Sequence, residues 1–249
     1  MKQLDDAIAL MGKTGSGPKP ADPFVAQAWI MSNIHAIILG ALRHIYLVRP
    51  TIQQQDHVDF VGYALYWVEL LDFHHHLEET WTFPHLKAAL PIDVIEAEHA
   101  AVHPPLEAMK DYLLNCLPAG ATWGAFKKPI PADSKNHPFD AAKLNSLIDA
   151  VVPAFVPHFC NEIGYLDATK LRASVTHDDL KAMFNTLFPE LMKLVRQPKG
   201  FFVYEYLHTR SYDYPMAPWF VSKFLIPWVF YWQDRRFWRF APQRVFWDN

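Results

Sequence analysis

The sequence predicts an all-α fold, and three observations carry that expectation. Four long segments repeat their apolar residues every three or four positions, histidine and glutamate stand one helical turn apart on those apolar faces, and the chain is large and apolar enough to bury one core. Of its 249 residues, 51% are hydrophobic, which suits a single domain or one domain with an extension. A net charge of -3, from 23 basic and 26 acidic residues, supplies no positive field for DNA or RNA, so no nucleic-acid partner is expected. Cys116 and Cys160 are too few for a disulfide framework or a thiolate metal site, so any metal must be held by nitrogen and oxygen.

Taken in order, residues 1–17 carry Asp5 and Asp6 and no long apolar run, unlike a secretory signal, so a cytoplasmic protein is the default expectation. Gly, Pro, Lys and Ser dominate 12–23, which reads as a loose leader. The first helix is expected over 24–48, with Ala28, Met31, Ile38, Leu39 and Leu42 in helical register and His35 among them, ending at Arg49-Pro50. A second covers 56–83 and closes at Pro84. A third begins near Ile92, and Pro104-Pro105 predicts a kink after His103 because proline removes a backbone donor and disfavours helix at the preceding residue. Residues 117–140, with four prolines, form a long connection that reads either as a lid over one end of the bundle or as an ordered surface loop. A fourth helix spans 141–172, with breaks expected at Pro153 or Pro157. Thr176-His177-Asp178-Asp179 starts another that runs to Arg196. Beyond it, 197–249 is dense in Phe, Tyr, Trp and Pro, with Arg235, Arg236, Arg239 and Arg244 interleaved. The apolar run 219–232 is broken by Lys223 and Pro227 and falls short of the about 20 residues of a bilayer span, so it is expected on the core.

The polar groups on the apolar faces carry the chemistry. His74 and Glu78 continue a stripe through Phe60, Ala64, Trp67 and Leu71 to Trp81, whereas the neighbouring pair His75 and Glu79 shares its side with Asp72 and Thr82. That pattern places His74 and Glu78 inside and His75 and Glu79 at the margin. Collected along the chain, His35, His74 with Glu78, His99 with His103, and His158 with Glu162 give five imidazoles and two carboxylates on four helices. This set suits a pair of bridged transition metals in a bundle core. Burying it without metal would cost roughly several kcal/mol for each unpaired charge or donor. Cys160, two residues from His158, points elsewhere and reads as a structural thiol. Trp81 and Tyr165 read as core aromatics near the site.

The pattern His74-x-x-x-Glu78-Glu79-x-x-x-Phe83-Pro84 resembles that of hemerythrin-like, or HHE cation-binding, domains. The runs Glu98-His99-Ala-Ala-Val-His103 with Leu106, and His158-Phe-Cys-Asn-Glu162-Ile163 with Leu166, are similar to the third and fourth helices of that family's longer fungal members, and Phe237 to Pro242 is similar to their tail. The resemblance implies a four-helix up-down bundle over 24–172, after a flexible leader over 1–23 and before an aromatic-rich helical extension over 173–249. It further implies a non-haem di-iron centre, bridged by oxo or hydroxo and carboxylate groups, that binds oxygen. His35, His74, His99, His103 and His158 would be terminal ligands and Glu78 and Glu162 the bridges. Three functions fit such a centre: oxygen activation to oxidise a small apolar or aromatic metabolite, reversible oxygen carriage or sensing, and iron handling without catalysis. The last 75 or so residues exceed what holding oxygen requires, which favours the first, although the same aromatic material would also serve as a homodimer surface.

Overall fold

The computed structural model describes residues 1–196, 199–209, 211, 214 and 217–242. The protein is all-α, with a single two-residue hairpin among the described residues, β1 (Thr122–Trp123) antiparallel to β2 (Lys128–Pro129). Helix α1 (Lys2–Thr14) is followed by α2 (Pro23–Val48), α3 (His57–Leu77), α4 (Phe83–Leu86), α5 (Ile92–Asn115), α6 (Ala141–Tyr165), α7 (Ala168–Ser174), α8 (His177–Arg196) and α9 (Gly200–His208). A π-helical segment, Glu78–Thr82, joins α3 to α4, and a second, Val221–Phe230, precedes α10 (Tyr231–Gln233) and α11 (Arg235–Trp238).

Helix α2 packs on α3 and α6, and α5 packs on the same two, so these four enclose a shared apolar core. Every residue from Phe60 to Leu71 on α3 is buried, as expected of a helix that is apolar all round. Its inner side meets α2 and α5, where the Trp67 indole donates to the Ile38 carbonyl at 2.9 Å. Its outer side meets α9 and α11. At Gly62 the approach is so close that a β-carbon would overlap the Phe237 ring.

Several sequence expectations change here. The leader expected over 1–23 is largely helix: Leu4, Ala7 and Met11, spaced by three and four, bury α1 against α2 and α6. Pro84 does not close the second helix, because it sits in the first turn of α4, where its missing N–H has no intrahelical partner to lose. Helix α5 runs through Pro104 and Pro105, and α6 through Pro153 and Pro157. Three of these prolines are exposed and Pro105 is half-buried, and the carbonyls they leave without an intrahelical donor belong to the exposed residues Ala100, Ala101, Asp149 and Pro153. The fourth predicted helix instead ends at Tyr165, and the Asp167 side chain restarts the chain as α7 by accepting from the N–H groups of Thr169 and Lys170. The start of α8 is as read: Thr176 and Asp179 form a reciprocal cap, with N–H to side-chain oxygen distances of 2.8 and 3.1 Å. Arg244 lies outside the described residues.

The connection 117–140 does not cover the end of the bundle that carries His74 and Glu78. Its hairpin is pinned to the middle of α3, where the buried Glu69 carboxylate accepts from the Ala125 and Phe126 N–H groups and meets Lys128 Nζ at 3.1 Å. Phe139 packs on Phe60 near the start of α3. Lys127 Nζ, 2.6 Å from Asp234 Oδ1, ties the connection to the segment before α11. Among the described residues one helix, Pro23–Thr51, is long and apolar enough to cross a membrane, and most of it is buried in the core.

Candidate metal centre

Four helices bring the polar residues of the core to one level. His35 comes from the middle of α2, His74 and His75 from the last turn of α3, Glu78 from the π-helical segment after it, His99 from α5, and His158 and Glu162 from the end of α6. All seven are buried. They fall into two groups, His35-His74-Glu78-Glu162 and His75-His99-His158, and within each group one potential ligand atom per residue lies within 4.8 Å of the others. Atoms bound to one ion at about 2.1 Å stand roughly 3 to 4 Å apart. In the first group His35 Nε2 is 3.1 Å from His74 Nε2 and 3.3 Å from Glu162 Oε2, and His74 Nε2 is 2.9 Å from Glu78 Oε1. The two glutamates reach toward the second group as well: Glu78 Oε2 is 3.8 Å from His99 Nε2, and Glu162 Oε2 is 3.9 Å from His158 Nε2.

Most of these atoms converge without hydrogen-bond partners. Both oxygens of Glu78 and of Glu162, and the Nε2 atoms of His75, His99 and His158, are buried and unsatisfied. Buried polar atoms are rarely left so, and a cluster of them aimed at common points fits a metal ion. The electrostatics agree. Burial, followed by the neighbouring imidazoles, holds His74 and His75 well below the ordinary histidine range, and burial lowers His35 and His99 too. Those shifts favour the neutral ring, the form that ligates. Burial and then Glu162 push the Glu78 carboxyl well up. For Glu162 burial acts upward, but the proximity of the imidazoles of His35, His158 and His74 outweighs it and favours the carboxylate.

The outer ring nitrogens of two histidines meet carboxylates. His99 Nδ1 is 2.6 Å from Glu79 Oε1, and His158 Nδ1 is 3.1 Å from Glu98 Oε2. A carboxylate there can only accept, so each Nδ1 carries the hydrogen and each Nε2 presents its lone pair inward. Glu98 is held in turn by Asn161 Nδ2 at 2.8 Å and the Tyr165 hydroxyl at 3.3 Å. Phe159 stacks on His35 with ring centroids 3.6 Å apart, keeping that side dry.

Of the seven residues read from the sequence, the structure brings together His35, His74, Glu78, His99, His158 and Glu162. His103 is not among them: it is exposed, and His75 takes the place on the second group. The buried stripe of α5 is Ile95, His99, Val102, Leu106, Met109 and Leu113, stepping by four and three, and the step after His99 is three. Val102 therefore holds the inward position and His103 turns out of the seam. The sequence places His75 at the margin because it shares its side of the helix with Asp72 and Thr82. With α3 enclosed, two adjacent histidines both point into protein, and the ring of His75 stacks on His99 at 4.1 Å. Glu79 and Glu98 also escaped the reading as partners of His99 and His158. Their signal was position: Glu79 follows Glu78 one turn after His75, and Glu98 directly precedes His99.

No family model matches the chain, and no solved structure matches it. Among curated proteins it is similar to the "Dimeric xanthone biosynthesis cluster protein R11" of Cryptosporiopsis sp. (strain 8999), at 26% identity over 233 residues, covering 85% of this chain and 76% of that protein.

Proposed function

We propose that the protein is a hemerythrin-like four-helix bundle that holds two iron ions and uses them for the oxygen-dependent oxidation of a small apolar or aromatic metabolite. The observation that carries the metal reading is the convergence of buried, unpartnered oxygen and nitrogen atoms from α3, α5, α6 and the π-helical segment beside His35 of α2. In this reading His35 and His74 would hold one ion and His75, His99 and His158 the other, with Glu78 and Glu162 placed within reach of both groups. Mixed imidazole and carboxylate donors suit iron, and bound iron supplies the oxygen affinity and electron transfer that side chains lack. The chain supplies the rest. Glu79 and Glu98 fix the tautomers and ring planes of His99 and His158, and Phe159 and Phe83, whose ring lies 5.9 Å from His99, exclude water. Similarity to a protein of a xanthone biosynthesis cluster supports work on a metabolite.

Reversible oxygen carriage or sensing is the second reading, and one observation favours it. Among the described residues the 117–140 connection and helices α9 and α11 lie along α3 beside Tyr63 to Phe73, while α8 packs on α4 and the π-helical segment that carries Glu78. The deciding experiment exposes iron-loaded, reduced protein to oxygen. Catalysis predicts oxygen consumption that an added aromatic metabolite accelerates over many turnovers. A stable adduct that reverses under vacuum supports carriage, and fewer than two irons per chain after loading refutes the di-iron reading.

A further inference from the structure

None of the seven clustered residues is more than 7% exposed, so an ion reaches them only past other side chains. The first group is closed on the side of α2 and α6, where the side chains of His35 and Glu162 are fully buried and Phe159 stacks on the His35 ring. Around the second group, polar side chains run out to solvent along the line where α3 meets α5.

The two helices set their polar residues against each other in reverse order along that line. Glu79 Oε1 is 2.6 Å from His99 Nδ1, the ring of His75 stands 6.5 Å from that of His103, and Asp72 Oδ2 is 3.4 Å from Lys110 Nζ, which also meets Glu107 Oε1 at 2.8 Å. Positions 72, 75 and 79 on α3, and 99, 103, 107 and 110 on α5, step by three and four, so each row keeps to one side of its helix. His75 joins the inside of this seam to its outside. Its ring stacks on buried His99 at 4.1 Å and lies 5.4 Å from His158, its Nε2 has no hydrogen-bond partner, and its outward neighbour His103 is exposed.

The prolines that follow His103 add an oxygen donor. With no N–H to offer, Pro104 leaves the Ala100 carbonyl without its intrahelical donor, one turn before His103 and, like it, exposed. An imidazole and a carbonyl oxygen are too few donors to retain an ion, which suits them to pass one on. Rings that share an ion bound at about 2.1 Å have centroids roughly 5 to 6 Å apart. The 6.5 Å between His75 and His103 is thus closed by a rotamer change of the exposed ring.

We propose that the seam between α3 and α5 is the entry path of the metal, in which His103 takes a divalent transition-metal ion from solvent and hands it to His75. The inference rests on the metal reading above. His103 is then not a resident ligand. It lowers the barrier between solvent and centre and alters neither end state, so it speeds uptake and release by the same factor and leaves affinity unchanged.

Stopped-flow mixing of the metal-free protein with Co2+, whose visible absorption changes when imidazole replaces water, measures uptake, and a chelator chase measures release. His103→Ala should slow both by about tenfold, the lower end of the effect of losing a partner of a metal ligand, with final metal content and affinity as in the native protein. His76→Ala, which removes an exposed imidazole whose ring meets Thr80, should keep both native rates. Full metal content reached at the native rate in His103→Ala overturns the path and leaves the centre standing. A lower final content makes His103 a resident ligand and overturns the path as well, and equal slowing by His76→Ala overturns it in favour of a general effect of surface imidazoles. Native protein that takes up neither Co2+ nor Fe2+ refutes the metal reading and the path together. Should the alanine variant melt early, His103→Gln repeats the measurement.

Discussion

Replacing His75 with alanine removes a buried ring nitrogen that no hydrogen bond occupies, in a group completed by His99 and His158. Replacing His103 removes an exposed ring. On the proposed ligand set, His75→Ala should lose at least about half of the bound iron and His103→Ala essentially none, by elemental analysis after identical reconstitution. The opposite ranking would return the second group to the assignment drawn from spacing alone. Glu98 acts at one remove. Glu98→Gln keeps its size but sets a neutral amide against His158 Nδ1, and an about 10- to 100-fold loss of metal affinity is expected in chelator competition. Glu98→Asp, which preserves the charge, should recover part of that loss, whereas an unchanged affinity in Glu98→Gln would make the contact merely structural.

Helix α9 places His208 against the outer side of α3. Its Nδ1 donates to the Tyr204 carbonyl at 2.8 Å, so its Nε2, 2.7 Å from the Tyr63 hydroxyl, accepts. Burial lowers this imidazole to about 3, so the folded protein holds it neutral where an unfolded chain, with a histidine value of about 6.5, takes up a proton. Its contribution to stability is therefore present above pH about 6.5 and lost as the pH falls from there toward 3. His208→Gln should flatten the acid limb of stability between pH about 4 and 6.5, measured by urea unfolding of iron-free protein; an unchanged limb would show that His208 does not drive it. At this scale much was legible. The periodicity of α2, α5 and α6 survives in their buried faces, and the Thr176 cap marks α8 because its chemistry is local. The π-helical turns were not legible, since the widened hydrogen bonding at Glu78–Thr82 depends on what α8 and α4 press against it. Nor was α1, whose three buried residues acquire meaning only from the groove between α2 and α6.

At the scale of the whole molecule, α3 belongs to two assemblies, the helices with the buried histidines and glutamates on one side and the aromatic extension on the other. A fragment ending at residue 172 should consequently bare the faces of Phe60, Tyr63, Tyr66 and Phe73, aggregate, and bind less iron per chain than intact protein, by light scattering and elemental analysis. A soluble fragment with full iron would show that the extension is dispensable for the site. The reach of these contacts also sets a timetable. Tyr66 meets Asp234 across 168 positions, and His44 meets the Phe240 carbonyl across 196. A ribosome adding about 5 to 20 residues per second leaves roughly 10 to 30 seconds between the emergence of α3 and that of the chain that covers it. Throughout that interval the nascent protein carries an uncovered row of aromatic rings, which makes it a client for chaperones that shield such surfaces until the last helix has left the exit tunnel.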